Sequence, residues 1–541
     1  MKRLIRYLLF TVITCIIGFI YYYIALPPIN IHSPGFWYFS IGLLIILTVG
    51  VGIMSALRSV GSNKPKNVNI SFGNNKLFIS FLSFTGIIVV IFILGSVFSS
   101  PILNASKYRE LINITERNFT DDIKQISYDE IPLLDKESAT LLGSRKMGSM
   151  VEYVSQFEVS DNYTQINYNN RPVRVTPLQY GNLVKWFTNR STGIPAYLKI
   201  DMATQDVEVI KLKQGIKYSE AEHLGRNIHR YLRFHYPTYI FDKINFEIDE
   251  NGIPYYICPV KDYTIGLFGG RTISNVVLVN AITGENKDYK INEVPNWVDR
   301  VYSAELLISY YDYYGTLKHG YLNSVFGQKD SLQTTDGYNY VVLDDDVWVY
   351  TGVTSVGKDE SNVGFVLMNQ RTAETRFYNV SGAEEYSAMS SAEGQVQHLG
   401  YSATFPLLLN IANEPTYFIA LKDEAGLVKK YAMVNVSKYQ IVAIGDSVSE
   451  CEKAYISLLK SSGVTKAADI NTLPKITGII TKVAESVIDG NSHYYILLDT
   501  SDEIFDVSVA EYINIIKFNV GDMVTFTYSE GEEVNTVLGV Q

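Results

Sequence analysis

Three long apolar runs fill the first hundred residues, about Leu4–Ala25, Phe36–Leu57 and Leu77–Ser99, and the roughly 440 residues after them contain no other. Each run is long enough to cross a bilayer as a helix, which takes about 20 mostly apolar residues. Flanking charge sets the direction. Lys2, Arg3 and Arg6 precede the first run, the link Leu26–Gly35 carries no Lys or Arg, and Arg58, Lys64, Lys66 and Lys76 crowd the next link. The positive-inside rule then puts the N-terminus and second link in the cytoplasm and everything after Ser99 on the far side. Tyr21, Tyr22 and Tyr23 at the end of run one, with Trp37 and Tyr38 opening run two, read as an aromatic belt at the outer interface.

A cleaved signal peptide is the rival reading of run one. Its apolar core is long for that role, and it ends in Ile24-Ala25-Leu26-Pro27-Pro28 without a small-x-small site. A transport path is the rival reading of all three runs. Such paths carry ionisable residues inside the membrane, whereas these spans hold only Cys15 and scattered Ser, Thr and Gly. The runs therefore read as an anchor.

The exterior is acidic, since the whole chain has net charge −10 and the basic flanks lie in the anchor region. That balance argues against nucleic-acid binding, which needs a basic face. Tyr at 40 residues and Phe at 25 favour strands over helices. Such a length exceeds one ordinary core, so two to four domains are expected. Cys258 and Cys451 are the only exterior cysteines; they either pair or stand as separate buried thiols, and neither belongs to a CxxC.

Organisation emerges from a recurring corner. Ala196–Ile210, Val276–Ile291, Gly364–Val380 and Tyr431–Val442 each hold an apolar strand, an Asp or Asn, a short turn with Thr or Ser, and a returning strand. Asp and Asn suit that corner because their side chains bond the backbone further on. Around these hairpins the pattern predicts a helix over Tyr218–His235, with Ser219 as N-cap and Glu222 completing a capping box. It predicts further helices over Trp297–Leu317 and Glu384–Leu399. The expected fold is α+β: residues 1–99 a three-helix membrane anchor, 100–192 a stalk and first α+β segment with Trp186 and Phe187 in its core, 193–295 a first repeated unit, 296–362 a linker unit, 363–465 a second repeated unit and 470–541 a small barrel. The last rests on five short strands, and resembles OB and SH3 barrels.

Helix, strand pair, then a strand ending in Asn280-Ala-Ile-Thr-Gly-Glu285 resembles the PepSY-type, cystatin-like module, best over Tyr218–Ile291 and more loosely over Glu384–Ile444, where Asn435-Val-Ser-Lys lacks the Gly. The chain is also similar to uncharacterised membrane proteins of Gram-positive bacteria. The PepSY resemblance implies a helix lying on an antiparallel sheet and a regulatory or inhibitory role towards envelope peptidases or wall enzymes. It brings no catalytic residues.

Candidate chemistry is sparse. Asp344-Asp345-Asp346 is the densest carboxylate cluster, with Asp359-Glu360 nearby, but it lacks the ligand alternation of a calcium loop and reads as an acidic turn. His223, His229 and His235 are spaced by six, which puts them on different sides of a helix rather than around one metal. Gly266–Arg271 is neither a P-loop nor a dinucleotide fingerprint. Serines lack the Gly-x-Ser-x-Gly elbow. Tyr310–Tyr314 with Tyr338 and Tyr340 either line a groove for carbohydrate or peptide, or pack. No catalytic, cofactor-binding or metal residue is assigned and no cofactor is expected. The expected role is a membrane-anchored extracytoplasmic interaction or regulatory protein acting on an envelope protein partner. The alternatives are a cell-wall or peptide hydrolase and an extracellular ligand sensor.

Overall fold

The computed structural model describes the chain except residues 1, 61–75, 125–130, 344, 358–360, 465–473, 489–490, 510–511, 530–533 and 541. Three helices open it: α1 (Lys2–Ala25), α2 (Pro34–Val60) and α3 (Lys76–Phe98). The expectation of three membrane-length helices is corrected to two. α2 over Pro34–Ile53 and α3 over Phe78–Phe98 are long and apolar enough to cross a membrane, while the described apolar part of α1, Phe10–Ala25, falls short of the ~20 residues a span needs. Only 22% of the α2 window and 11% of the α3 window are buried, so neither is the core helix of a soluble domain. Ile13, Ile16, Phe19 and Ile20 on α1 are likewise exposed.

The chain divides into two units, Met1–Tyr455 and Ile456–Gln541. The first is mixed α/β and strand-rich, and its four main sheets share one strand order. In the first sheet Phe157–Val159, Arg171–Tyr180, Ile194–Asp201 and Val207–Ile216 pair edge to edge, and Thr164–Tyr168 adds to Arg171–Tyr180 as a short hairpin. The second repeats this with Ile240–Phe241, Asn245–Ile248, Pro254–Ile265, Gly269–Asn280 and Asn286–Lys290. The third uses Leu332–Thr334, Asn339–Leu343, Asp346–Ser355, Gly364–Asn369 and Thr375–Tyr378, and gains Ile114–Arg117 as a parallel sixth strand. The fourth uses Ser402–Ala403, Leu407–Ile411, Glu414–Lys422, Val428–Asn435 and Val442–Gly445. A helix precedes each sheet: Lys136–Gly148, Ile228–His235, Ala304–Thr316 and Glu385–Gln395.

The repeated corner sits between the last two strands of every sheet. Asp201 accepts from the N–H groups of Ala203 and Thr204, Asn280 from Ile282 and Thr283, and Asn369 from Arg371 and Thr372. In these three corners the next residue takes positive φ: Gln205 (66°), Gly284 (77°) and Ala373 (62°). The fourth corner is one residue longer, closing from Asn435 N–H to the Ile441 carbonyl rather than five residues on.

This pairing differs from the expected segmentation. Strands Ile194–Asp201 and Val207–Ile216 belong to the sheet of Arg171–Tyr180, and the strands of the linker unit form one sheet with Gly364–Tyr378. Corner spacing marks each unit's end, not its start, which is why a reading that begins units at the corners shifts them. Helix bounds also tighten. Asn227, not Ser219, caps the α-helix of the second unit, although Glu222 N–H does bond Ser219 Oγ. Trp186 is buried as expected, but Phe187 is 61% exposed beneath the Arg190 guanidinium, 4.4 Å from its ring centroid.

The sheets share cores. Val175, Leu198, Leu232, Phe246 and Val277 join the first and second sheets, while the opposite face of the second, through Ile257 and Val276, meets Leu307, Tyr311, Val349 and Val366 of the third unit. Cys258 and Cys451 are free and buried.

In Ile456–Gln541 the strands Lys475–Ile488, Asn491–Leu498, Ser501–Ser508, Val534–Val540 and Met523–Ser529 pair in a ring, with Met523–Ser529 returning to Lys475–Ile488. Phe505 and Phe526 fill its interior.

Candidate functional site at the ends of the N-terminal helices

The residues singled out by sequence do not converge. Asp344, Asp359 and Glu360 lie outside the described residues. Asp346 is buried and engaged by Arg371, whose Nε and Nη2 donate to its two oxygens at 2.6 and 2.8 Å, while Asn369 Nδ2 donates at 2.7 Å. Asp345 accepts from Asn167 Nδ2 at 2.5 Å. Among the described residues no group of three His, Cys, Asp or Glu is placed to hold a metal. His223, His229 and His235 are all exposed. Tyr310 and Tyr311 are buried, Tyr313 packs on Tyr108, and Tyr340 lies under the Arg300 guanidinium at 3.9 Å, so these aromatics pack rather than line a groove.

Two polar concentrations escaped the sequence reading. The first is buried where three sheets meet. Glu247, on the Asn245–Ile248 strand, accepts from the N–H groups of Asp299 (3.0 Å) and Arg300 (2.9 Å). Arg300 donates from Nε to the Gln165 carbonyl at 3.0 Å and from Nη1 to Gln370 Oε1. Asp299 accepts from Asn167 N–H at 2.7 Å. Burial pushes the Glu247 carboxyl up to about 7, and burial with the neighbouring Glu247 charge raises Asp299 well above the carboxylate range. Arg174 beside them is lowered to about 10 by burial and then by Arg300. Every bond here runs to the Asp299–Arg300 loop, which thereby fastens strands Thr164–Tyr168 and Asn245–Ile248 to the Gln370 corner, so the junction works as a latch. Its only sequence signal is a charged residue inside an apolar strand, Phe246-Glu247-Ile248.

The second concentration lies where the strand-rich region meets the ends of the N-terminal helices. Arg233 donates from Nε to the Leu26 carbonyl at 2.9 Å and from Nη1 to the carbonyls of Tyr236, Pro237 and Tyr239. Ile29 N–H bonds the Pro237 carbonyl, and His32 Nδ1 lies 2.9 Å from the Leu267 carbonyl. The glycine loop at Gly266–Arg271 proves to be a dock for α3. Phe268 N–H donates to Ser99 Oγ at 3.0 Å, and a Cβ on Gly269 would stand 2.3 Å from the Ser99 carbonyl oxygen. Tyr108 Oη reaches the same carbonyl at 2.6 Å. Beside this seam a cavity of about 590 Å³ opens between Leu26 at the end of α1 and the helix Ile228–His235, with Arg230, Arg233, His223 and His229 on its walls. The basic residues of Asn227-Ile-His-Arg-Tyr-Leu-Arg-Phe-His235 were legible, but their neighbour, about two hundred residues earlier, was not.

No family model matches the chain, and no curated protein matches it. Among solved structures it is similar to an ACO/RPE65 chimera, at 8% identity over 66% of this chain and 62% of that chain with a TM-score of 0.14. It is likewise similar to a B. megaterium levansucrase mutant, at 8% identity over 78% of this chain and 97% of that chain with a TM-score of 0.17. At those scores neither likeness carries an argument about fold or function.

Proposed function

We propose that this chain is a membrane-anchored extracytoplasmic interaction or regulatory protein that acts on a protein partner in the cell envelope. The carrying observation is the mount. The outer ends of α1 and α3 and the α1–α2 link are hydrogen-bonded to the exterior through Leu26, Ile29, His32 and Ser99. An exterior held this closely stays at a defined height and orientation over the bilayer, which suits a module that meets a neighbour in the same membrane. α2 and α3 are the helices long and apolar enough to cross the bilayer, and α1 packs beside α2 with its C-terminal end at the same mount.

The four sheets, each with a preceding helix and one strand order, support reading the exterior as tandem PepSY-like units. The ring of five strands supports an OB- or SH3-like module at the C-terminus. The test is in-membrane photo-crosslinking from exposed exterior positions such as Phe187 and Glu424, followed by identification of the adduct. The reading expects one discrete envelope protein from several positions. Absence of any adduct, together with hydrolysis of wall polymer or peptide by the purified chain, would replace it with the hydrolase reading.

A further inference from the structure

We propose that the cavity at the outer end of α1 holds the phosphate headgroup of an anionic phospholipid, with one acyl chain lying along the Val12–Phe19 face of the same helix. This rests on the membrane-anchored reading above and adds a ligand to it.

Charge is the first argument. Among the described residues neither Arg230 nor Arg233 makes an ion pair. Arg233 spends its donors on four backbone carbonyls, which leaves its positive charge without a counter-ion. Arg230 donates once, from Nη1 to the Leu224 carbonyl, and its guanidinium lies 4.2 Å from the Tyr23 ring centroid. Its Nε is buried with no partner. Of the carboxylates on the same walls, Asp242 pairs with Lys261 at 3.3 Å, and Glu222 is turned to the neutral donors Tyr180 Oη (2.7 Å) and Trp186 Nε1 (2.8 Å) rather than to either arginine. A guanidinium with free donors beside a second, uncompensated guanidinium matches a phosphate, which takes Arg in a two-pronged bond.

Position is the second argument. Val12, Cys15, Ile16 and Phe19 bound an apolar hollow of about 350 Å³ on α1. Their spacing of three and four residues puts them on one helical face, and the same face continues to Tyr23, with Ile24, Ala25 and then Leu26, which follows the helix, at the cavity wall. Phe19 to Ala25, also on the cavity wall, rises ~9 Å, of the order of the depth of a headgroup layer. Polar cavity and apolar hollow thus follow each other along one helix as headgroup and acyl chain do in one lipid. Exposed Phe234, against Tyr22 and Tyr23, supplies aromatics at the depth where the two meet.

The experiment uses the full chain in nanodiscs of phosphatidylcholine alone or with phosphatidylglycerol, read by native mass spectrometry and thermal midpoint, with vesicle flotation scoring membrane integration separately. One phosphatidylglycerol should remain bound per chain and raise the midpoint. Arg230→Gln should weaken retention about tenfold, the loss of one charge-assisted hydrogen bond. Ile16→Trp, which fills the hollow, should weaken it independently. Equal retention of phosphatidylcholine, or unchanged retention in both variants, overturns the proposal. Inorganic phosphate reproducing the whole midpoint shift in phosphatidylcholine discs would make this a free-anion site and overturn the lipid assignment. Failure to float would instead count against the anchor.

Discussion

Arg233 Nε donates to the carbonyl of Leu26 at 2.9 Å, bridging 207 positions of sequence between helix Ile228–His235 and the residue that follows α1. The same guanidinium gathers three carbonyls of the loop after its own helix, so one side chain closes that loop and fastens it to the anchor. Buried among carbonyls, it is worth more as a set of hydrogen bonds than as a charge.

Arg233→Met should therefore lower stability of the detergent-solubilised chain by about 3 kcal/mol, the cost of leaving several buried acceptors unpaired. Arg233→Lys should fall between, since an ammonium cannot span the same carbonyls. Chemical denaturation of both variants, followed by tryptophan emission, checks the order.

The latch at Glu247 should make stability pH-dependent in a defined direction. A carboxyl whose folded value is raised binds protons more readily in the folded chain, so its contribution is fully present below the ordinary value of 4.5 and is lost as pH climbs to about 7. Asp299 is raised too and adds to the same slope. Glu247→Gln should flatten the fall in denaturant midpoint between pH 4.5 and 7. An unchanged slope would mean that the carboxyl stays ionised when folded.

The corners can be tested in pairs. Gly284 has φ 77°, and a Cβ there would stand 2.3 Å from the Tyr218 ring, so Gly284→Ala should cost about 1–3 kcal/mol. Ala373 takes φ 62° at the equivalent place, where Ala373→Gly should gain up to about 1 kcal/mol. Opposite signs from equivalent positions would tie both effects to the shared turn.

Calcium should do nothing at Asp345-Asp346. Both oxygens of Asp346 are held by Arg371, and Asp345 faces Asn167. Thermal midpoints with calcium and with chelator should coincide.

Local chemistry was legible and distant chemistry was not. Asp201, Asn280 and Asn369 revealed the corners because an Asx turn is made by five consecutive residues. The unit boundaries were misplaced because strand Arg171–Tyr180 carries no mark of pairing with Ile194–Asp201 rather than a later strand. The apolar runs announced long apolar helices, yet the described part of the first is shorter than a span. Arg230, Arg233, Glu247 and Arg300 stayed unread for one reason. Each acts through partners 50 or more positions away, or through backbone carbonyls that leave no trace in residue type.

In the proposed topology the folded strand-rich region stands outside the membrane on these helices. Cys258 and Cys451 are buried, and burial raises both thiols, the second to about 12, so native protein offers little background to a thiol reagent there. Glu424→Cys places an exposed thiol on the fourth sheet. Intact cells treated with a membrane-impermeant maleimide should label this variant fully without permeabilisation. Labelling only after the membrane is opened would contradict the account.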